Sequence, residues 1–205
     1  MLKRVLCVLV LLCTALQARA DAPTWLVLGD SISAGYGIEV SRGWVALLQE
    51  RLKNAGYPAR IVNASVSGDT SAGGLARLPA LLTRHRPRLV LIELGGNDGL
   101  RGLPVAKLRD NLKQMVLLTR QAGAQPVLMQ MRIPRNYGPA YSQQFEDSYT
   151  RLAQELKVPL APFLMDRFAL DPNAFQDDGI HPAAAMQGRM LDTVWPTLAA
   201  LAKAK

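Results

Sequence analysis

Histidine and cysteine are scarce in this 205-residue chain, with two of each. An acid–base imidazole, if the chain has one, is His85 or His181. The cysteines, Cys7 and Cys13, both fall within the first twenty residues. If those residues form a removable leader, the remaining chain has no disulfide, no thiol nucleophile and no cysteine metal ligand. The phosphate-binding patterns G-x-x-x-x-G-K-[ST] and G-x-G-x-x-G are absent, and so is the nucleophile elbow G-x-S-x-G. No repeat, low-complexity tract or linker divides the chain.

Residues 1–20 read as a secretory signal peptide. Lys3 and Arg4 make a basic start, Val5 to Leu16 an apolar run, and Ala18-Arg19-Ala20 a small-x-small cleavage site. The run of roughly 12 residues falls short of the ~20 that span a bilayer, so no stable membrane anchor is expected. Leucine, not a small residue, precedes each cysteine, which argues against lipid attachment. The chain carries 24 Lys and Arg against 16 Asp and Glu, a formal net charge of +8. Without Lys3, Arg4 and Arg19 the excess falls to about +5, a solvated surface rather than a nucleic-acid footprint. Residues 21–205 are long enough for one domain with a sizeable core.

Short β-rich runs alternate with longer amphipathic ones. Trp25–Leu28, Ala59–Val66, Leu89–Leu94, Pro126–Met131 and Val158–Phe163 read as strands, mostly continuous apolar runs of the kind buried on both faces. Trp44, Leu47, Leu48 and Leu52 mark a helix face that Gly56 and Pro58 close. Leu108, Leu112, Met115 and Val116 mark another, entered at Pro104 and ended near Gly123, and Phe145, Tyr149, Leu152 and Leu156 a third. Alternation of this kind predicts a three-layer α/β/α sandwich around a mostly parallel sheet of about five strands.

Three glycine-rich segments then fall at the carboxyl ends of strands, where open α/β sheets place their ligands. They are Gly29-Asp30-Ser31, Ser67-Gly68-Asp69 and Gly95-Gly96-Asn97-Asp98. Each alone is an ordinary strand-to-helix turn. Together they offer a hydroxyl, backbone N–H groups free for close approach and a side-chain amide, the parts of a nucleophile beside an oxyanion hole. His85, in Arg84-His85-Arg86-Pro87-Arg88 before the third strand, belongs at the opposite end of the sheet. His181 follows the last strand in Asp178-Gly179-Ile180-His181-Pro182, ahead of a C-terminal helix expected to start near Pro182. Asp178 reads either as a helix-capping turn residue or as a carboxylate brought to the imidazole.

Gly29-Asp30-Ser31-Ile32-Ser33, Gly68 in Asn63 to Thr70, Gly95-Gly96-Asn97-Asp98 and Asp178-x-x-His181 occur in the order of the blocks of the GDSL, or SGNH, hydrolases. Leu75 to Leu82, Glu93 to Gly102 and Gln176 to Pro182 extend the likeness. The chain resembles the bacterial periplasmic thioesterase, arylesterase and lysophospholipase branch over essentially all of residues 21–205. Ile32 stands where many members have leucine, a nearly volume-neutral change.

The resemblance implies a flavodoxin-like hydrolase domain, Ser31 as nucleophile, His181 as general base and then acid, and Asp178 orienting it. It implies an oxyanion hole from the Ser31 and Gly68 N–H groups and the Asn97 amide. It further implies acyl ester, thioester or lysophospholipid substrates and a periplasmic location; the acyl-transfer chemistry so implied requires no metal or organic cofactor, and a monomer is expected. Leu100, Arg101 and Leu103, with Ile133, Pro134, Arg135, Asn136 and Tyr137, are expected to line an acyl channel, or else to be ordinary loop residues.

Other classes stay open from residues alone. A nucleotide-binding protein would use Gly29–Gly37 as a phosphate cradle. A metal-dependent phosphoesterase would use Asp30, Asp69, Asp98 and His181. A noncatalytic binding module would use the basic tract Arg84–Arg88.

Overall fold

The computed structural model describes residues 22–204. The signal-peptide reading of residues 1–20 lies outside them. In chain order the elements are β1 (Thr24–Gly29), α1 (Ser31–Ala34), α2 (Trp44–Asn54), β2 (Arg60–Asn63), α3 (Ser71–His85), β3 (Leu89–Glu93) and α4 (Gly96–Leu100). They continue with α5 (Val105–Gln121), β4 (Gln125–Met129), α6 (Pro139–Leu156), β5 (Leu160–Ala161) and α7 (Gln187–Lys203).

The five strands are all parallel, in the order β2-β1-β3-β4-β5. Alternation within each strand explains the sandwich. Trp25, Val27, Leu89, Leu91, Val127 and Met129 point to one side, where α2 and α7 pack with Trp44, Leu48, Leu52, Leu191, Val194 and Leu198. Leu26, Leu28, Val90, Ile92 and Leu128 point to the other, beneath α3, α5 and α6. A strand buried on both faces must be apolar throughout, which is why these runs read as continuous. Each large side chain so buried contributes ~1.5–3 kcal/mol. The three-layer architecture and strand count predicted from the sequence are those observed.

The differences are local. β2 is shorter than the Ala59–Val66 run because the chain leaves the ladder after Asn63 to enter the site, although the Ala64 and Val66 N–H groups still donate to the Val27 and Gly29 carbonyls of β1. Helix α3 carries two glycines and Pro79, which dilute its periodic signal. Gly74 is required by close approach, since a Cβ there would lie 2.1 Å from Leu94 Cδ1. The C-terminal helical segment starts with a 3-10 turn at Ala184–Met186 that runs into α7 at Gln187, just past Pro182, which is itself committed to an antiparallel bridge with Phe175.

Strand order reverses direction between β1 and β3, so the crevice at their carboxyl ends is a topological switch point. The turn leaving β3 is fixed from below by α6, where the fully buried Tyr149 donates its hydroxyl to the Leu94 carbonyl at 2.7 Å. Burial pushes this phenol well above its ordinary value and keeps it a neutral donor. Tyr149→Phe strands a buried carbonyl and is expected to lower stability by about 1–3 kcal/mol in urea unfolding. An unchanged midpoint would show that the turn does not depend on this bond.

Candidate active site

β1 ends at Gly29 and leads straight into Asp30 and Ser31. The Asp30 carboxylate accepts the Ile32 N–H at 3.0 Å and caps α1, leaving Ser31 as the first helical residue at the carboxyl edge of the sheet. Ser31 Oγ lies 2.8 Å from His181 Nε2, and His181 Nδ1 lies 2.6 Å from Asp178 Oδ2. The other Asp178 oxygen accepts the Ile180 and His181 N–H groups at 2.9 Å each. Asp178 is therefore the imidazole partner and also closes its own turn, but it caps no helix: the helical segments that follow are entered at Ala183 and Met186. The His181 backbone N–H foremost, and then its ring, hold the Asp178 carboxyl down at about 2. An acceptor-only carboxylate at Nδ1 draws the ring proton there and leaves Nε2 to accept from the serine hydroxyl.

The loop bearing His181 is pinned on three sides. The Gln176 N–H donates to the His181 carbonyl at 2.8 Å beside the Phe175–Pro182 bridge. The Gln176 side chain donates to the Tyr36 carbonyl at 2.9 Å, tying this loop to the one after α1. The Tyr36 ring tilts against His181 with centroids 4.4 Å apart. Tyr36 and Gln176 carry no pattern that sequence reasoning could have used. His85 ends α3, across the sheet from the site, and burial followed by Arg84 lowers its pKa.

The other two loops meet the first. The Asn97 amide donates to the Asp69 carbonyl at 3.0 Å and to Asp30 Oδ2 at 3.3 Å, and Arg101 Nη2 donates to the Gly68 carbonyl at 2.9 Å. Arg77 pairs with Asp69 at 2.7 Å and donates to the Ala64 and Gly29 carbonyls. One guanidinium thus braces the ends of β1 and the loop after β2. Ser31, Gly68, Asn97, Asp178 and His181 all come together at one edge of the sheet.

Beneath Ser31 lies a carboxyl cluster that sequence reasoning missed. Glu93 is wholly buried and accepts the Ser33 hydroxyl at 2.5 Å. Gly29 must lack a side chain here, because a Cβ would lie 2.6 Å from Glu93 Oε2 and 2.8 Å from Ser65 Oγ. Burial raises Glu93 well above the ordinary carboxylate range, helped by Asp30. Burial likewise raises Asp30 from 3.8 to about 6, against the pull of the Ile32 N–H, His181 and Asn97. The available signal was a glutamate closing an otherwise apolar strand.

The expected channel residues divide. Ile133 is in the core, packed against α4, and does not face a channel. Arg101 instead braces Gly68, and the Tyr137 hydroxyl donates to the Leu100 carbonyl at 3.0 Å, joining two rim loops. Pro134 is exposed beside them.

The metal-site alternative is overturned. Asp98 is consumed by the Ser71 N–H and hydroxyl at 2.7 and 2.5 Å, and among the described residues no three His, Cys, Asp or Glu side chains are grouped to hold an ion. The phosphate cradle fails too, since the Asp30 carboxylate occupies the first turn of α1 where a phosphate would need donors. In the basic tract, Arg86 closes α3 in a left-handed cap and Arg88 bonds the Ala204 carbonyl, as turn residues do.

The model of the GDSL-like lipase/acylhydrolase family matches residues 27–189, a span that includes all five converging residues. The chain belongs to this family. It is 54% identical over 183 residues to esterase TesA of Pseudomonas aeruginosa, covering 89% of this chain and 91% of that protein. It is 52% identical over 163 residues to thioesterase 1/protease 1/lysophospholipase L1 of Escherichia coli K12, covering 80% and 77%. A crystal structure of TesA matches with a TM-score of 0.84 at 54% identity, over 87% of this chain and 99% of that one. The psychrotrophic esterase EstA from Pseudoalteromonas, inhibited by monoethylphosphonate, matches at 0.83 and 41% identity, over 87% and 97%.

A raised carboxyl pKa means that the folded state binds more protons than the unfolded, so Asp30 opposes stability as pH rises from about 4 through 6. Asp30→Asn keeps the capping oxygen and removes that slope. Relative to wild type it is expected to gain on the order of 3 kcal/mol between pH 4 and pH 7, read by urea unfolding. A gap of equal size at both pH values would contradict the assignment.

Proposed function

We propose that this protein is an exported serine hydrolase of acyl esters and thioesters, working through an acyl-enzyme on Ser31. The observation that supports this most is the unbroken path from Asp178 through His181 to the Ser31 hydroxyl, 2.6 and 2.8 Å. His181 Nε2 takes the hydroxyl proton as Oγ attacks the acyl carbonyl. Asp178, ionised throughout the working range, keeps the ring proton on Nδ1 and stabilises the imidazolium. The oxygen charge is met by the Ser31 and Gly68 N–H groups and by Asn97, whose 3.3 Å bond to Asp30 is the longer of its two and the one it gives up. His181 then returns the proton to the leaving group, and water, deprotonated by the same ring, releases the acid. No step needs a metal or cofactor.

Relatives named esterase, arylesterase and thioesterase 1/lysophospholipase L1 favour aryl esters, fatty acyl thioesters and lysophospholipids as substrates. With Ile133 in the core, the acyl chain is left Leu100, Pro134 and Tyr137 at the rim. Among the described residues no helix is long and apolar enough to cross a membrane. Cleavage after Ala20, periplasmic location, residues 21–205 as the single hydrolase domain and a monomeric state complete the reading.

The deciding assay is hydrolysis of p-nitrophenyl acyl esters by wild type beside Ser31→Ala, with chelator present. A wild-type rate that vanishes in the variant is expected; equal rates would overturn the mechanism. Asn97→Ala should lower turnover by ~10²- to 10³-fold, and a change under about threefold removes it from the oxyanion hole. Asp178→Asn should cost on the order of 10⁴-fold by the precedent of other triads, while near-normal activity would leave it only a turn residue.

A further inference from the structure

Acyl transfer makes no use of the buried carboxyls Asp30 and Glu93, yet they lie directly beneath it. Glu93 is in register with Gly29, one residue before Asp30. Its Oε2 accepts from Ser33, and its Oε1 is buried with no hydrogen-bond partner. Among the described residues neither carboxyl pairs with a lysine or arginine. Arg77 is committed to Asp69 and two carbonyls. Two neighbouring carboxylates without a cation in a buried site do not both ionise. Asp30 is the better seat for the charge, because it receives the Ile32 N–H and an Asn97 amide hydrogen and faces His181, whereas burial dominates at Glu93 despite its bonds from Ser33 and the Asp30 backbone.

The groups acting on Asp30 come from every side: Glu93 from β3, Asp69 from the loop before α3, Asn97 from α4, His181 from the C-terminal loop, and the Ile32 N–H from its own helix. We propose that Asp30, ionised while Glu93 carries the proton, is a positioning residue that selects the orientation of the Asn97 amide presenting a donor, rather than an acceptor, beside Ser31. This rests on the acyl-transfer reading above and deepens it.

An amide presents two hydrogens on its nitrogen and an acceptor at its oxygen, and the two ends are nearly the same size. A carboxylate only accepts. With Asp30 Oδ2 at 3.3 Å and the Asp69 carbonyl at 3.0 Å, both neighbours demand Nδ2. A neutral group at position 30 can offer a donor of its own, which leaves the Asp69 carbonyl as the one neighbour still demanding Nδ2 and lets the flipped amide compete. Asn97 Oδ1 would then face the developing oxyanion and repel it. The same charge favours the imidazolium formed on His181. Uncompensated buried carboxyls oppose stability, and such opposition is retained where it serves activity.

The test compares wild type, Asp30→Asn, Glu93→Gln and Ser31→Ala on a p-nitrophenyl ester at pH 8. Asp30→Asn should lose kcat by roughly 10- to 100-fold, short of the ~10²–10³ for deleting the donor outright, with KM held within about threefold and no fall in thermal midpoint. A merely structural residue would lose stability and activity together; that result, or kcat within about threefold of wild type, overturns the inference. Infrared spectroscopy at pH 8 should show a protonated carboxyl band in wild type that is missing from Glu93→Gln, and a wild type without the band overturns it as well. Ser31→Ala separates the two levels. Full activity there overturns the acyl-transfer reading and Asn97's role with it, whereas activity lost there but kept in Asp30→Asn overturns this inference alone.

Discussion

Ser31 and His181 meet at 2.8 Å across 150 residues of chain, and most of the molecule serves to hold that contact. Neither side chain is placed by its own neighbours in sequence. Ser31 is fixed because β1 is an interior strand, paired with β2 and β3 in a sheet buried on both faces, so its end cannot move without disturbing both cores. His181 is fixed because its short loop is closed by the Phe175–Pro182 bridge and tied by Gln176 to the loop after α1. A contact between a hydroxyl and a neutral ring is worth little by itself. Its precision comes from the two rigid bodies that bring it together.

That division explains what could be read from the sequence. The three-layer fold was legible because strands buried on both faces leave uninterrupted apolar runs, as Leu89–Leu94 does, while the packed helices leave spaced ones, as Leu108, Leu112 and Met115 do. The converging residues were legible because hydroxyl, amide and imidazole sit in short glycine-rich loops at strand ends. Tyr36 and Gln176 were not, since stacking on His181 and reaching the Tyr36 carbonyl depend on how loops cross in space. Ile133 misled for the opposite reason: it lies in a polar loop but turns inward onto α4. Pro182 looked like a helix start, yet the bridge that positions His181 claims it first.

The carboxyl pair under the nucleophile follows a different logic. In the core Glu93 serves only polar neighbours, accepting the buried Ser33 hydroxyl, and its carboxyl carries a desolvation cost that apolar packing would not. What the pair supplies is a charge of fixed sign close to the Asn97 amide and the imidazole, two groups whose orientation and protonation are otherwise free to change. The small size of Gly29 is part of the same arrangement, because it makes room for Glu93 against the end of β1. The stability of the sheet edge and the electrostatics of the site are therefore set by the same few atoms.

The central claim is covalent chemistry at Ser31, and the most direct measurement is labelling by a p-nitrophenyl alkylphosphonate followed by intact mass and peptide mapping. The account predicts one phosphonyl group per chain, located on the peptide containing Ser31, with activity lost in proportion to occupancy. Full occupancy of Ser31 with activity retained, or inactivation with the label on another residue, would contradict it.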